Sequence, residues 1–223
     1  MLLEPLAGPS SSVRSSIPIT AASSRVDRLR HETRADHDRI ETVPALSRLV
    51  MPDLTREIYV GVLQHLEAFH SYVEPAMACA LKGVPSARSL LDGNRLRWLA
   101  EDLAWFGGTL LPAPAVPIPD TKAGALGMLY VIEGSGLGGR VIGRHLSDSL
   151  GVRPGQGGSF YCTQPAETSR RRWRQLCHVL EEQFPDDGAE RELIDGARLT
   201  FRFLDRWLRK VPTVPDVMAA VEP

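Results

Sequence analysis

A glycine-rich segment, residues 127–146, restricts the possible folds of this chain more than any other part of the sequence. Among residues that are compatible with a helix, this segment carries glycine at five inner positions: Gly134, Gly136, Gly138, Gly139 and Gly143. Each glycine inside a helix costs about 0.5–1 kcal/mol relative to alanine. Five of them cost about 3–5 kcal/mol, which is a large share of the stability of one domain. A helix here therefore needs a compensating use for its missing Cβ atoms.

Three structures would explain these glycines, and the sequence of the segment is compatible with all three. In the first, a flat ligand rests on the backbone of a helix, because Gly134 and Gly138 share one face and Gly139 adjoins it. In the second, Gly134-x-Gly136-x-x-Gly139 is a nucleotide-binding turn of an oxidoreductase, preceded by a short strand at residues 128–132. In the third, small residues allow two helices to approach closely.

The rest of the chain favours helices and opposes the nucleotide-binding turn, which requires a second strand and an acidic residue about 20 positions later. We predict an all-α domain over residues 25–210, between a disordered leader at residues 1–24 and a C-terminal tail at residues 211–223. The predicted helices cover residues 25–43, 55–81, 89–106, 121–150, 165–184 and 188–209. Proline-rich residues 107–120 and glycine-rich residues 151–164 are predicted to be connections.

Composition restricts the class of protein. The net charge of −1 argues against a general binder of nucleic acid or membrane surfaces. No apolar run is long enough to span a bilayer. Three cysteines without a CxxC spacing do not form a disulfide framework, so we expect a reducing, cytoplasmic location.

The first predicted helix carries a polar stripe. Arg30, Arg34, His37 and Glu41 follow one another at spacings of 4, 3 and 4 residues, which places them on one helix face. A histidine in this position can bind a metal through one ring nitrogen while Glu41 accepts the other N–H. The two arginines can pair with carboxylates of a ligand. On this helix alone, a solvated face with ion pairs is the more common explanation of such a stripe.

Both segments resemble motifs of the haem oxygenase family. Leu29-Arg30-x-x-Thr33-x-x-x-His37-x-x-x-Glu41 is similar to the proximal helix of that family. Tyr130 and Gly134-Ser-x-Leu-Gly138-Gly139 are similar to the distal helix of its bacterial branch, which supplies biliverdin to bacteriophytochromes. The similarity extends from about residue 26 to residue 208. It implies a single-domain, all-α fold that holds haem between a proximal and a distal helix.

The resemblance also implies roles for individual residues. His37 would be the axial iron ligand and Glu41 its hydrogen-bond partner, while Gly134, Gly138 and Gly139 would cover the distal face. Tyr130 would lie beside the haem. Near the propionates the resemblance places three basic residues: Arg30, Arg34 and Arg174. The other histidines, His65 and His70 among them, are expected to be surface or satisfied core residues.

Ser135 is the main departure from the mammalian members, which carry an aspartate there to organise water around bound O2. A hydroxyl can hold water but lacks the charge. Two functions of the same fold therefore follow from the resemblance. One is an enzyme that opens haem, its substrate and cofactor, with O2 and electrons to give biliverdin, CO and iron. The other is a haem carrier or sensor without turnover.

The resemblance implies partners as well. Electrons would come from a ferredoxin or flavodoxin with its reductase, and biliverdin would pass to an acceptor such as a bacteriophytochrome. A basic cluster could dock an acidic electron donor, although a solvated helix is an equally good interpretation of it. Its members are Arg170, Arg171, Arg172 and Arg174.

Overall fold

Helices form almost all of the regular structure in the computed structural model, which describes residues 24–182 and 187–213. In chain order they are α1 (Arg25–Glu41), α2 (Pro44–Arg48), α3 (Arg56–Ala80), α4 (Pro85–Arg88), α5 (Asn94–Phe106), α6 (Lys122–Leu150), α7 (Ser159–Cys162), α8 (Ala166–Glu182) and α9 (Asp187–Leu208). Within the described ranges, extended pairing is limited to isolated bridges at Arg153. The predicted all-α class is confirmed.

The six predicted helices are present, with ends that differ by a few residues. Three short helices, α2, α4 and α7, were not predicted. Pro44 and Pro85 begin two of them, because a proline in the first turn already has the helical φ and needs no hydrogen-bond partner. The strand considered at residues 128–132 is wrong, since these residues lie inside α6. Residues 1–23 of the leader and 214–223 of the tail lie outside the described residues.

Side-chain caps explain where three of the long helices begin. The hydroxyl of Ser24 accepts the backbone N–H of Asp27 at the start of α1, and Thr121 does the same for Gly124 at the start of α6. Thr55 caps α3 in the same way. Each cap satisfies a donor that the first helical turn leaves free. At the other end of α6, Gly151 adopts a φ of 68°, a left-handed conformation that favours glycine and stops the helix.

The crossing of α6 and α9 holds the middle of the molecule together. A Cβ at Gly127 would overlap the carbonyl oxygen of Leu193, and a Cβ at Gly196 would overlap that of Gly124. The two backbones can approach this closely only because both helices carry glycine at the crossing. The interpretation of small residues as helix contacts therefore holds at the beginning of the glycine-rich segment.

α1 lies along α9 and buries one face against it, formed by Val26, Leu29, Thr33 and Asp36. Among the described residues, no helix is both long enough and apolar enough to cross a membrane.

Candidate functional site

A cavity of about 530 Å³ lies between the end of α1, α2 and the glycine-rich part of α6, and residues of α3, α5, α7, α8 and α9 complete its walls. Its volume is within the range of pockets that bind cofactors and small molecules. The lining is largely apolar, with Ile40, Leu46, Val50, Phe69 and Leu204 among its residues. The cavity can therefore accept a large apolar ligand.

The glycines of α6 divide into two groups according to what faces them. A Cβ at Gly143 would lie 2.7 Å from the carbonyl oxygen of Tyr161, so this glycine is required by packing. A Cβ at Gly136 or Gly138 would meet no described atom within 4 Å, and both residues line the cavity. Close helix packing therefore explains Gly143 and leaves the two cavity glycines to another cause. The nearest atom to a Cβ at Gly139 is in Tyr161, at an ordinary 3.7 Å.

The nucleotide-binding turn is wrong for this chain. Gly134, Gly136 and Gly139 lie within one continuous helix of 29 residues. A phosphate-binding turn instead connects a strand to the beginning of a helix, where free backbone N–H groups point at the ligand. Inside α6 those N–H groups are already used by the helix itself.

His37 lies on α1 with 52% of its side chain exposed. Its Nδ1 is 3.7 Å from the carboxylate of Glu41 and 3.9 Å from that of Asp38. The ring also meets the ring of Phe201 edge-on, with the centroids 5.8 Å apart. Glu41, one turn later on α1, lines the cavity, whereas His37 is not among the lining residues. With Nδ1 facing the carboxylates, Nε2 is left to bind a metal.

The structure brings together one part of the predicted site. Glu41 lines the cavity from α1, and Ser135, Gly138 and Gly139 line it from α6. Gly134 packs instead against the ring of Trp173, 3.4 Å from where its Cβ would be. The helix that carries the predicted metal ligand and the glycine-rich helix thus border one space.

The predicted propionate contacts lie outside this lining, and each has a carboxylate partner. Arg30 pairs with Asp27 at 3.1 Å, and Arg34 with Asp38 at 2.9 Å. Arg174 is exposed and pairs with Glu167 at 2.7 Å. A ligand carboxylate must replace these partners in order to bind the same arginines.

Tyr130 belongs to α6, and its side chain is buried between this helix and the neighbouring helices. Its ring packs against Trp173 with the centroids 5.3 Å apart. Burial raises the pKa of Tyr130, although Thr33 and Arg30 on α1 act in the opposite direction. Tyr130 therefore helps to hold α6 against α1 and α8, and it does not line the cavity.

The hydroxyl group of Ser135 donates a hydrogen bond within its own helix. The Oγ donates to the carbonyl oxygen of Ile132 at 2.8 Å, while the residue lines the cavity. The oxygen keeps its lone pairs, so Ser135 can accept a hydrogen bond from water in the cavity.

A buried polar network reaches the cavity, and the sequence analysis did not identify it. His70, Arg95 and Glu133 line the cavity, and Nδ1 of His70 lies 3.1 Å from the carboxylate of Glu74. Arg95 bonds Glu133 through a short contact. The i,i+4 spacing of His70 and Glu74 on α3 was the signal available in the sequence.

The network continues through α8 towards the surface. Arg172 donates to Glu133 at 2.8 and 3.0 Å and to Asp92 at 2.7 Å. Its side chain is only 11% exposed. The predicted basic surface cluster is therefore wrong for Arg172, because this side chain is turned inwards to neutralise buried carboxylates. Arg170 and Arg174 share Glu167 as a partner.

Burial determines the protonation state of His70. Desolvation lowers the pKa of its imidazole, and Glu74 only partly opposes this effect. For Glu74, desolvation acts to raise the pKa, but the His70 hydrogen bond and the Arg95 charge outweigh it and hold the pKa below its usual range. The pair is thus a neutral imidazole that donates from Nδ1 to a carboxylate, with Nε2 left as an acceptor.

Asp102 fixes the α7 side of the cavity. It is fully buried, and its two oxygens accept the backbone N–H groups of Ser159 and Phe160 at 2.6 and 2.8 Å. Tyr59 adds a hydrogen bond from its hydroxyl to the carbonyl oxygen of Gly157 at 2.8 Å. Phe160, which lines the cavity, is held in place by these contacts.

A protein-family model, a curated relative and two solved structures all connect this chain to heme oxygenases. A protein-family model described as Heme oxygenase matches residues 23–210. A curated relative from Xanthomonas campestris pv. campestris (strain 8004), named heme oxygenase, is 38% identical over 109 residues. The alignment covers 48% of this chain and 63% of the relative, so the chain spans less than two thirds of the length of the relative it matches.

Two solved structures are similar in fold. Heme oxygenase from Neisseria meningitidis, in its NO- and CO-bound forms, aligns with a TM-score of 0.66 and 25% identity, over 91% of this chain and 100% of that chain. Heme oxygenase-2 from Synechocystis sp. PCC 6803, in complex with heme and NO, aligns with a TM-score of 0.68 and 17% identity, over 83% and 84% of the two chains. The second similarity concerns the fold alone.

Proposed function

The chain belongs to the haem oxygenase family, and from this membership we propose that it binds haem in the cavity beside α1 and α6 and opens the ring to biliverdin. O2 and electrons from a separate donor are consumed, and CO and iron are released with the biliverdin. Haem is thus the substrate as well as the cofactor, and its iron supplies the site at which O2 is activated.

One observation carries the proposal: the cavity has a wall of bare helix backbone. Gly136 and Gly138 line it with open space where a Cβ would be. A flat macrocycle can approach such a wall more closely than any wall of side chains. These glycines lower the stability of the helix. Close packing does not explain them, and contact with a bound ligand would.

The residues present fit a porphyrin. The cavity is lined mostly by apolar side chains, which suit the ring, and its polar groups lie at a few defined positions. His37 would bind the iron through Nε2, because its Nδ1 faces Glu41. We assign Arg30, Arg34 and Arg174 to the propionates, which would replace Asp27, Asp38 and Glu167 as partners.

Proton delivery is assigned to the polar side of the cavity. Ser135 would accept a hydrogen bond from water at the glycine-rich wall, because its own hydroxyl hydrogen is already donated to the carbonyl oxygen of Ile132. His70 offers an acceptor at Nε2 while Glu74 holds its Nδ1 proton. Arg95 and Glu133 add further groups that can bind water. Together these residues can hold an ordered chain of water molecules beside the ligand.

The partners and location belong to the same proposal. The described residues contain no flavin-binding or iron–sulfur motif, so we propose a ferredoxin or flavodoxin as electron donor. We propose a bacteriophytochrome as acceptor of biliverdin on the basis of the sequence resemblance. A cytoplasmic location agrees with three cysteines that are free in the structure.

The test is a hemin titration followed by turnover. Purified protein should bind one equivalent of hemin, and a ferredoxin with its reductase should then make the Soret band fade in air as biliverdin absorption rises. Product analysis by chromatography identifies biliverdin. A hemin complex that keeps its spectrum in air through many equivalents of reductant would contradict turnover and indicate a carrier.

A further inference from the structure

Two ionic contacts connect α1 to α9 directly beside His37. The carboxylate of Glu32 lies 2.8 Å from Arg198, whose guanidinium also donates to the Glu32 carbonyl oxygen at 3.0 and 3.2 Å. One turn later, Asp36 accepts from Nε of Arg202 at 3.0 Å. Arg198 also lies 4.0 Å from Asp36, which joins the two contacts. We name these four residues the α1–α9 ladder.

Asp36 occupies an unusual place for a charged residue. Its side chain is 9% exposed and lies on the face of α1 that packs against α9, in line with Val26, Leu29 and Thr33. An aliphatic residue would bury this position at no desolvation cost. A carboxylate there acquires a defined partner instead. The Asp36 end of this pair is buried while the Arg202 side chain is 55% exposed, and their hydrogen bond adds a directional contact between the two helices that apolar packing lacks.

The position of Asp36 links this register to the proposed iron ligand. Asp36 and His37 are consecutive, so their side chains leave the helix about 100° apart. With Asp36 held against α9, the rotation of α1 is fixed and His37 is turned to the side of that contact. α9 also touches the imidazole, because Phe201, next to Arg202, meets the ring edge-on at 5.8 Å.

We propose that the α1–α9 ladder is a positioning device, in which Asp36 and Arg202 set the rotation of α1 and thereby the orientation of the His37 imidazole towards bound haem. The inference rests on the proposed function, since it needs haem bound through His37. Asp36 and Arg202 are positioning residues, because they act through the helix and the ring and do not line the cavity.

The experiment compares Asp36→Asn, Arg202→Gln, the double variant and Arg28→Gln. Asparagine and glutamine keep the approximate shape of the side chains and remove the charge. Arg28→Gln is the matched control, because Arg28 also joins α1 to α9 through Glu190 at 2.7 Å but lies more than two turns from His37. Thermal unfolding of each hemin-free variant establishes that it folds.

Two readouts report on orientation. Resonance Raman spectroscopy of the ferrous complex measures the iron–histidine vibration, and transfer of hemin to excess apomyoglobin measures its dissociation rate. We expect Asp36→Asn and Arg202→Gln to shift the vibration in the same direction and to raise the dissociation rate at least fivefold. The double variant should equal the larger single effect, and Arg28→Gln should match the wild type in both readouts.

The outcomes separate the inference from the proposed function. An unchanged vibration in a hemin-binding Asp36→Asn variant overturns the inference alone. An equal shift in Arg28→Gln, or single effects that multiply in the double variant, also overturns it, since either result indicates general loosening of α1. A wild-type protein that takes up no hemin through His37 overturns the proposed function, and the inference with it.

Discussion

Ser135 places an uncharged hydrogen-bond acceptor in the cavity wall. Its hydroxyl proton is bonded to the carbonyl oxygen of Ile132, so the oxygen faces the cavity as an acceptor. An aspartate, as in the mammalian members of the family, would bring a full negative charge to the same position. The hydroxyl can hold water only through its lone pairs, and His70 and Arg95 supply further polar groups to the same cavity.

We predict that Ser135→Ala slows ring opening about tenfold, less than the 10²–10⁴-fold typical of a direct proton donor, because Ser135 acts through water. Hemin affinity should stay unchanged, since the hydroxyl does not hold the ring. Single-turnover rates and hemin titrations measure the two effects.

Ser47→Ala is the control for this prediction. Ser47 lines the same cavity from α2 and donates its hydroxyl proton to the carbonyl oxygen of Pro44 at 3.1 Å. Its loss should leave the rate unchanged. Equal rates for Ser135→Ala and the wild type would show that the water is organised elsewhere.

Helix α6 combines glycines with opposite physical roles. Gly138 faces open space in the cavity wall, whereas Gly143 faces the carbonyl oxygen of Tyr161 at 2.7 Å from a Cβ position. We propose that the first glycine leaves room for a ligand, whereas the second is required by packing. Substitution by alanine separates the two roles, because the added methyl group is the same.

We predict that Gly138→Ala raises the free energy of unfolding of the hemin-free protein by about 0.5–1 kcal/mol, the helix propensity difference between glycine and alanine. The same change should weaken hemin binding at least tenfold, because the new Cβ lies where the macrocycle rests. Urea unfolding and hemin titration measure the two effects.

Gly143→Ala is the matched comparison and should lower the free energy of unfolding by about 1–3 kcal/mol, the usual cost of overpacking. If Gly138→Ala binds hemin as tightly as the wild type does, the bare wall has no role in binding.

The short helix α7 depends on a group from α5. Asp102 is fully buried and uses both oxygens to accept N–H groups from the first turn of α7. An asparagine can offer only one acceptor, and its amide group faces a donor at the other position. α7 is too short to be stable without this contact.

We predict that Asp102→Asn lowers the free energy of unfolding by about 2–3 kcal/mol, since it leaves a buried donor unsatisfied. Glu101→Gln, next in the chain, is the control, because Glu101 is partly exposed and pairs only with Arg97 at the surface. Its effect in urea unfolding should stay within about 0.5 kcal/mol. Equal losses for the two variants would contradict the role given to Asp102.

The stability of the whole molecule should depend on pH through its buried histidines. His65 is buried beside Trp207, and desolvation lowers the pKa of its imidazole below the usual 6.5. His70 is affected in the same direction. A folded state with lowered pKa values binds fewer protons than the unfolded chain. Its stability is therefore complete above pH 6.5 and falls as the pH decreases below that value.

We predict that the free energy of unfolding of the wild type falls between pH 7.5 and pH 5.5, and that His65→Gln shows a smaller fall, because one titrating group has been removed. Urea unfolding at both pH values measures the difference. His31→Gln, at an exposed position of α1, should behave as the wild type does. An identical pH dependence in His65→Gln would contradict a neutral, buried His65.

The parts of this structure that the sequence predicted are the periodic ones. The long helices follow from apolar spacing and from caps such as Ser24, Thr55 and Thr121, which act within a few residues. Two motifs indicated that α1 and α6 border one ligand, and a cavity does lie beside both helices. The roles of His37 and of the three proposed propionate arginines remain predictions.

Other features arise from contacts distant in sequence and could not be predicted. The burial of Arg172 depends on Glu133 and Asp92, 39 and 80 residues away. On α8 alone, Arg172 is one of several arginines. The contact of Asp36 with Arg202 spans 166 residues. The local sequence does not indicate which charged side chain is buried, because the packing of the helices determines which distant residue lies beside it.

We propose above that haem binds through the His37 imidazole opposite the glycine-rich wall of α6. The most direct measurement is resonance Raman spectroscopy of the ferrous hemin complex of the wild type, His37→Ala and the control His31→Ala. We expect an iron–histidine vibration in the wild type and in His31→Ala, its loss in His37→Ala, and its restoration in that variant by added imidazole. An iron–histidine vibration that persists unchanged in His37→Ala would show that His37 is not the iron ligand.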